Sequence, residues 1–403
     1  MSKRPDPATG KRTRKERYGQ GLRYRVCGIP GVKDESFAKL EDAKDWLAKA
    51  QVDAREGKYI DPRLGSITLA EYVEKIWWPN RNDPTNTRGP MWSRISNHIL
   101  PYMGHIPINL IDVEHLRAWL AALRRSGRVN EATIAVIWTH LVTILGSAVG
   151  KRLPRNPCED IGDERPTGNG EVKARAWEAD EVRRIRAGLP DWYRVIADLG
   201  VGAGLRQGEA FGFSPDDVDE ARMVIHLRRQ LLWDPSKPYC KLPKGRKERD
   251  IPLSPRLLKH IREHEERHPP VELVLPWEGP GNGNRDAVRV RLLTTTRFRN
   301  PINPSTYNEK NLKPALVAAG LLDPRDEDAP GSGWVASREM MHHRFRHTYA
   351  SVQLHAGEDV VSVSHWMGHA SPEITFRTYA HFMPDAGMRG RSAVDEWLER
   401  GGS

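Results

Sequence analysis

Cysteine is scarce. The chain has three in 403 residues, Cys27, Cys158 and Cys240, far apart in sequence. Their spacing makes neither a zinc pattern nor a disulfide framework, and it suits a reducing cytoplasm. No secretory leader is expected, because the first 24 residues are rich in Lys and Arg and contain no apolar segment. The sequence also shows no uninterrupted apolar run of the ~18 residues needed to cross a bilayer, so no membrane partner is expected. Acidic residues are outnumbered, 53 against 63 basic ones, for a net charge of +10. That balance favours a polyanionic partner, nucleic acid before a membrane surface. What is present suffices for folding: 38% of the residues are hydrophobic, and the length predicts two or three domains.

Residues 1–20 form a basic arm (Lys11, Arg12, Arg14, Lys15, Arg17), readable as a solvated tail or as a DNA contact. Alternation over 22–29 predicts a strand, and Phe37 a second short strand or the lead into a helix. Ala43, Trp46, Leu47 and Ala50 share one face of a helix over 40–54. Residues 1–64 thus make a small sheet-plus-helix module with a thin core. Residues 65–161 read as all-helical. Ser66 is the expected cap of a helix carrying Leu69, Tyr72, Val73 and Ile76. Further helices are expected over 92–100 (closed by Pro101), 113–123 and 132–149, the last capped by Asn130 or Thr133. The tryptophans of this region, Trp77, Trp78, Trp92, Trp119 and Trp138, read as packing residues. Arg94, Arg124, Arg125, Lys151 and Arg152 are its candidate phosphate contacts. Residues 162–173 have linker composition and mark a domain boundary.

From 174 to 403, helices alternate with one strand region. A helix is expected over 192–201 and a strand over 224–232. Segments 238–242 and 249–251 flank a hairpin-like tip at Lys244-Gly245-Arg246. A helix starts at Ser254-Pro255, residues 276–306 stay unassigned, another helix covers 311–319, and 323–333 is a polar loop. Near the end come three short helices, with stops at Gly357 and Gly368 and a start at Ser371-Pro372. A tail helix capped by Ser392 carries Val394, Trp397 and Leu398. The fold class is mainly α with small β-sheets (α+β), in several domains.

The last three short helices hold an unusual set of side chains. His343 and Arg346 are three residues apart on one helix face. His369 leaves a turn, and Tyr379 lies about two helical turns beyond Pro372. These groups could converge on one anion. Breaking a phosphodiester without metal needs a nucleophile, a proton donor for the departing oxygen and fixed positive charge around the transition state. A tyrosine can attack if its site lowers its pKa from ~10. Arginines can fork onto the non-bridging oxygens, and a lysine on a flexible tip can protonate the leaving group. The pairs His343/His347 and His365/His369 have the i,i+4 spacing of zinc ligands on a helix. Neither pair encloses a Glu or has an obvious third ligand, so no metal is expected.

Five segments carry a resemblance. Gly204-Leu205-Arg206-Gln207-Gly208-Glu209 resembles the first arginine box of the tyrosine recombinases, the phage integrase family. Lys244 through Leu253 resembles the family's lysine hairpin. His343-Arg344-Phe345-Arg346-His347 is similar to its second arginine box, and Trp366-Met367-Gly368-His369 and Thr378-Tyr379-Ala380-His381 to its Gly-His and nucleophile segments. All occur in the family's order.

The resemblance implies a site-specific DNA recombinase of mobile-element type, working without metal or other cofactor through a 3′-phosphotyrosyl bond. It implies Tyr379 as nucleophile, Arg206 and Arg346 on the scissile phosphate, and Lys244 as general acid, with Lys241 and Lys247 close enough to compete. His343 is implied as base or proton shuttle for Tyr379, His369 as a hydrogen bond to phosphate, and Glu209 as a residue orienting the site from behind. The implied domains are an arm-binding module (1–64), a helical, SAM-like core-binding domain (65–161), a linker (162–173) and a mixed α/β catalytic domain (174–403). Implied partners are double-stranded DNA, further copies of the chain as a tetramer on DNA, and accessory DNA-bending or directionality proteins. Competing functions are a type IB topoisomerase or resolvase, and a non-catalytic DNA-binding regulator.

Overall fold

A computed structural model describes residues 21–400 apart from 31, 56–58, 84, 169–173, 235, 246, 279–284, 327–333, 335–339 and 384–386. Arm residues Lys11, Arg12, Arg14 and Lys15, and Arg246 at the lysine tip, lie outside the described residues, as do most of the 323–333 loop and the end of the 162–173 linker. Two compact units divide between Gly170 and Glu171.

In the first unit, β1 (Tyr24–Val26) pairs antiparallel with β2 (Glu35–Phe37), Tyr24 opposite Phe37. Two strands alone are marginal in water. Helix α1 (Leu40–Arg55) supplies the missing layer, burying Ala43 and Ala50 and setting Trp46 5.6 Å from the Phe37 ring. Next comes α2 (Leu69–Tyr72), which widens into a π-turn over Val73–Trp77. Its cap is Thr68 rather than Ser66. The Thr68 hydroxyl accepts the Glu71 N–H, and the Glu71 carboxylate reaches back to Thr68 N–H, a reciprocal capping box. Ser66 spends its hydroxyl on the Arg63 carbonyl.

Helix α3 (Thr85–His98) is followed at once by α4 (Leu100–Met103). Pro101 therefore does not close the helical path. It sits in the first turn of α4, where its missing N–H has no intrahelical partner to lose. Helix α5 (Val113–Ser126) ends on Gly127 at φ 61°, and α6 (Glu131–Ala148) is capped by the Asn130 side chain. Contrary to the sequence expectation, α6 is long and apolar enough to cross a membrane. Thr and His interrupt its apolar run, which hid this from a scan for continuous hydrophobics. One stripe of it, Ile134, Ile137, Trp138, Leu141, Ile144 and Leu145, is buried in the helical core with Leu69, Ile95, Leu116 and Trp119.

The second unit opens with α7 (Ala179–Gly188), α8 (Arg194–Ala203) and α9 (Gln207–Phe211). Strands β3 (Val218–Asp219), β4 (Val224–Leu227), β5 (Gln230–Asp234), β6 (Lys237–Lys241) and β7 (Arg249–Pro252) follow. After α10 (Pro255–Arg267) come β8 (Val271–Glu278) and β9 (Arg285–Leu292), and then α11 (Pro304–Tyr307) and α12 (Lys313–Ala318). The chain finishes with α13 (His343–His355), α14 (Val360–Met367), α15 (Pro372–Tyr379) and α16 (Gly387–Arg400). Ser392 lies inside α16 rather than capping it; Val394, Trp397 and Leu398 are exposed.

The strands form sheets of order β3-β4-β7 and β5-β6-β8-β9. The unassigned stretch 276–306 holds a strand, β9, whose Val288, Val290 and Leu292 face Leu275, Leu273 and Val271 of β8. The lysine segment also differs from expectation. The chain reverses between Asp234 and Lys237, which pair with each other, and not at Lys244. Gln230 pairs with Lys241, while Leu227 pairs with Arg249. Two residues separate these partners on one side and an excursion of seven on the other. Lys244 rides on that excursion, which turns at Gly245 with φ 93°.

The core of this unit brings α8 against α13, with Val195, Ile196 and Leu199 buried beside Phe345, Tyr349 and Ala350. Two glycines allow the approach. A Cβ on Gly200 would lie 2.8 Å from the Phe345 Cβ. Gly204, at φ 63°, closes α8 in the left-handed region, and a Cβ there would lie 2.6 Å from the Tyr349 ring. This contact sets the residue after Leu205 beside the first turns of α13.

Candidate active site

Arg206 occupies the cap position of α9. Its backbone N–H and guanidinium both donate to the Glu209 carboxylate, at 2.9 and 3.0 Å. The pairing is more than a helix-end ion pair, because the same guanidinium also donates to the Gly368 carbonyl at 3.1 Å. Arg346, 1% exposed, donates to the carbonyl of Gly204 at 2.6 Å and to that of Met367. The turn after α14 is therefore stapled to both arginines. Gly368 makes the turn possible at φ 62°. His369 follows it, and its Nδ1 is 2.7 Å from the Thr375 hydroxyl on α15. Its ring lies parallel to that of Tyr379, centroids 6.2 Å apart.

Tyr379 itself is 1% exposed. Its hydroxyl is 2.7 Å from His347 Nδ1. The resemblance implies His343 as base or proton shuttle for Tyr379; the imidazole in contact with the hydroxyl is that of His347. His343 sits one turn earlier, its ring edge-on to His347 with centroids 4.7 Å apart, and reaches solvent. Lys244 is exposed on its excursion, close enough for its charge to act on His343. Arg206, Glu209, His343, Arg346, His369 and Tyr379 are thus brought together, with Lys244 at the rim.

Sequence reasoning missed three residues. Arg249 opens β7, is buried, and forks onto Glu209 at 3.1 and 2.7 Å while its Nε donates to the Trp366 carbonyl. It joins the base of the lysine excursion to the first box and to the Gly368 turn. Its signal was an Arg five residues after Lys244, inside the lysine segment. Thr375 is wholly buried and stands one helical turn before Tyr379, on the same face. His347 was visible beside Arg346, but nothing in the sequence chose it over His343.

Charge sets the state of each group. Burial alone would raise Glu209; Arg249, then Arg206 and Arg346, overcome it and hold the carboxyl at about 2. Burial, then the neighbouring Arg206 charge, lowers Arg346 to about 9. Tyr379 is pushed up to about 12 by burial, against the pull of Arg346 and Arg206. Desolvation and the surrounding cations push His347 and His369 down to about 3 and His343, despite its exposed edge, to about 4. At neutral pH the imidazoles are uncharged and the phenol keeps its proton. No group of three or more His, Cys, Asp or Glu side chains converges as metal ligands among the described residues. The thiols of Cys158 and Cys240 are buried and raised to about 12 and about 11, well outside reactive range.

The candidate phosphate contacts of the helical region differ among themselves. Arg124 is paired with Glu131 at 2.8 Å, and Arg152 donates to the Leu64 carbonyl at 2.9 Å and lies over the Tyr72 ring. Both have structural work. Arg94, Arg125 and Lys151 form no ion pair among the described residues, and Arg125 and Lys151 are exposed.

Comparison with known proteins bears on the same segments. A tyrosine recombinase XerC-like protein of Caldanaerobacter subterraneus subsp. tengcongensis is 23% identical over 395 residues, 93% of this chain and 90% of the relative. The Tn1549 transposon integrase, solved with a circular intermediate DNA, superposes with a TM-score of 0.61 at 17% identity, covering 82% of this chain and 99% of that one. Lambda integrase, solved as a tetramer bound to a Holliday junction, gives 0.55 at 17% identity, covering 90% and 93%. At such identities the structures establish a common fold. The model of the phage integrase family matches residues 176–385, just over half of the chain and the whole stretch from α7 through Tyr379, and the chain belongs to that family.

Proposed function

We propose that this chain is a site-specific DNA recombinase of a mobile element, which cuts and rejoins duplex DNA through a 3′-phosphotyrosyl intermediate. The observation that carries this is the convergence of Tyr379, Arg206, Arg346 and His369 around one turn at Gly368. Arg206 and Arg346 would exchange backbone carbonyls for the non-bridging oxygens of the scissile phosphate. Tyr379 would attack phosphorus, Lys244 would protonate the departing 5′-oxygen, and His369, held by Thr375, would donate to the phosphate. Glu209 and Arg249 hold Arg206 in place from behind. Because the phosphotyrosyl bond conserves the energy of the bond it replaces, a second DNA end can displace the tyrosine without ATP.

Residues 1–64 would bind accessory arm sites, 65–161 the core site and 174–403 the scissile phosphates, with the 162–173 linker letting two basic domains close around the duplex. Assembly would be a tetramer on DNA, as in the lambda integrase complex, in the cytoplasm where the DNA lies. The exposed Val394, Trp397 and Leu398 of α16 offer it an apolar contact.

The test is a nicked suicide duplex carrying the attachment junction that flanks the gene, in the presence of EDTA. Wild type should give a covalent protein–DNA band that Tyr379→Phe abolishes. A wild type that binds the site tightly and gives no band would refute the reading.

A further inference from the structure

We infer that His347, rather than His343, takes the proton of Tyr379 when the phosphotyrosyl bond forms. The inference rests on the recombinase reading and deepens it. Its first support is contact: His347 Nδ1 is 2.7 Å from the tyrosine hydroxyl, within the range a general base needs. Proton transfer from the phenol needs the His347 tautomer with its own proton on Nε2 and Nδ1 free to accept. Among the described residues, no hydrogen bond joins His343 to Tyr379. His343 instead stands edge-on to His347 with its own edge in solvent, which suits it to pass a proton onward.

A second support is the charge around the pair. His347 is faced by His343, Arg344 and Arg346 from its own helix. From α15 it is faced by Tyr379, against which His369 stacks. Arg206 acts on Tyr379, and Lys244 acts on His343. In the free protein burial, with this positive field added to it, keeps His347 neutral and weakly basic. A phosphate seated on Arg206 and Arg346 brings negative charge into the field and raises the basicity of His347. The base is therefore strengthened by the substrate it acts on, and the free protein holds its nucleophile protonated.

The step balances. A tyrosine oxygen lone pair forms the bond to phosphorus, and the phenol proton passes to His347 Nδ1. The bond from phosphorus to the 5′-oxygen breaks, and that oxygen takes a proton from Lys244. Rejoining reverses each transfer: the incoming 5′-hydroxyl gives its proton to Lys244, and His347 returns its proton to the tyrosine.

The experiment compares the full chain on two suicide duplexes, one ordinary and one with sulfur in place of the bridging 5′-oxygen. A thiolate leaves without being protonated, so the second substrate removes the need for Lys244 alone. Single-turnover formation of the covalent complex is followed against pH for wild type, Lys244→Ala, His343→Gln and His347→Gln. Lys244→Ala should recover on the sulfur substrate. His347→Gln should stay slower than wild type by about 100-fold or more on both substrates, and lose the acid limb of the pH profile. His343→Gln should keep that limb. Gel-shift affinity for the site checks folding. His347→Ala gives a second arm: free imidazole should restore cleavage in proportion to its unprotonated fraction.

His347→Gln cleaving the sulfur substrate at the wild-type rate would overturn the inference, as would loss of the acid limb in His343→Gln alone. So would a DNA-binding His347→Ala that imidazole does not restore. These outcomes are distinct from failure of the recombinase reading, in which wild type itself forms no covalent complex on either duplex.

Discussion

Replacing Arg249 by Met is expected to destabilise the second unit strongly, through the carboxylate it leaves behind. Glu209 is wholly buried and accepts both arms of the Arg249 fork, at 3.1 and 2.7 Å. Its carboxyl falls from 4.5 to about 2 on folding, against a burial penalty that acts the other way. At ~1.4 kcal/mol per pH unit, folding favours the ion over the acid by ~3 kcal/mol relative to the unfolded chain. Removing one partner of a buried pair typically costs about 3–5 kcal/mol, because the other charge stays desolvated. Arg206 still reaches Glu209, so the lower end applies, ~3 kcal/mol. For a unit of this size that lowers the midpoint of its thermal transition by roughly 6–12 °C. Calorimetry on the full chain at neutral pH reads it, as the transition belonging to the second unit.

The double variant Arg249→Met/Glu209→Gln should recover most of the loss, since an uncharged amide needs no counter-ion. Acid titration gives the sign independently. The folded pKa of Glu209 lies below its unfolded value, so its stabilisation is complete above pH ~4.5 and is lost as pH falls toward 2. Glu209→Gln should flatten that part of the stability curve. A single variant costing under ~1 kcal/mol, or a double variant whose losses simply add, would refute the argument.

Arg206→Ala and Arg346→Ala should each slow covalent complex formation by ~2–4 kcal/mol of transition-state stabilisation, with site affinity much less affected; unchanged single-turnover rates would contradict their placement on the phosphate. Thr375→Val keeps the shape of a wholly buried residue and removes the partner of His369 Nδ1. It should cost ~1–3 kcal/mol of stability and slow cleavage by freeing the ring, and a variant equal to wild type in both would show that Thr375 does not position His369.

Most helices were legible because each one states its period and its caps locally. The stripe of α6, the Ser254-Pro255 start of α10 and the Gly368 stop of α14 all act within a few residues of themselves. What failed were features decided by a partner. Pro101 closes nothing because Ile99 joins α3 to a new helix in which proline is harmless. Thr68 took the cap from Ser66 because Glu71 stands at the position that completes a box. Lys244 left the hairpin turn because pairing on either side of it is set by β4 and β5. Strand β9 did alternate, at Val288, Val290 and Leu292, but the Gly- and Pro-rich stretch before it left the segment unassigned. The site divides the same way. Arg206, His343, Arg346, His369 and Tyr379 could be named from their segments. The partnerships of Arg249 with Glu209, Thr375 with His369, and His347 with Tyr379 span gaps that no periodicity connects.

These partnerships explain how the free protein keeps a reactive site quiet. Three guanidinium groups, on Arg206, Arg249 and Arg346, gather around one buried carboxylate, Glu209. Among the described residues, the other hydrogen-bond partners of these guanidinium groups are the carbonyls of Gly204, Trp366, Met367 and Gly368. A dipole satisfies a donor's hydrogen-bond geometry without neutralising its charge, and burial, then the Arg206 charge, lowers Arg346 to about 9. On the proposed reading, the scissile phosphate would supply the missing anion. Its arrival would relieve Arg346, free the carbonyls of the Gly368 turn, and let His347 become a better base beside a phenol that the free protein holds protonated. Positioning, charge and proton transfer would then depend on one event, the seating of the scissile phosphate, while burial of the free site disfavours the ionised tyrosine.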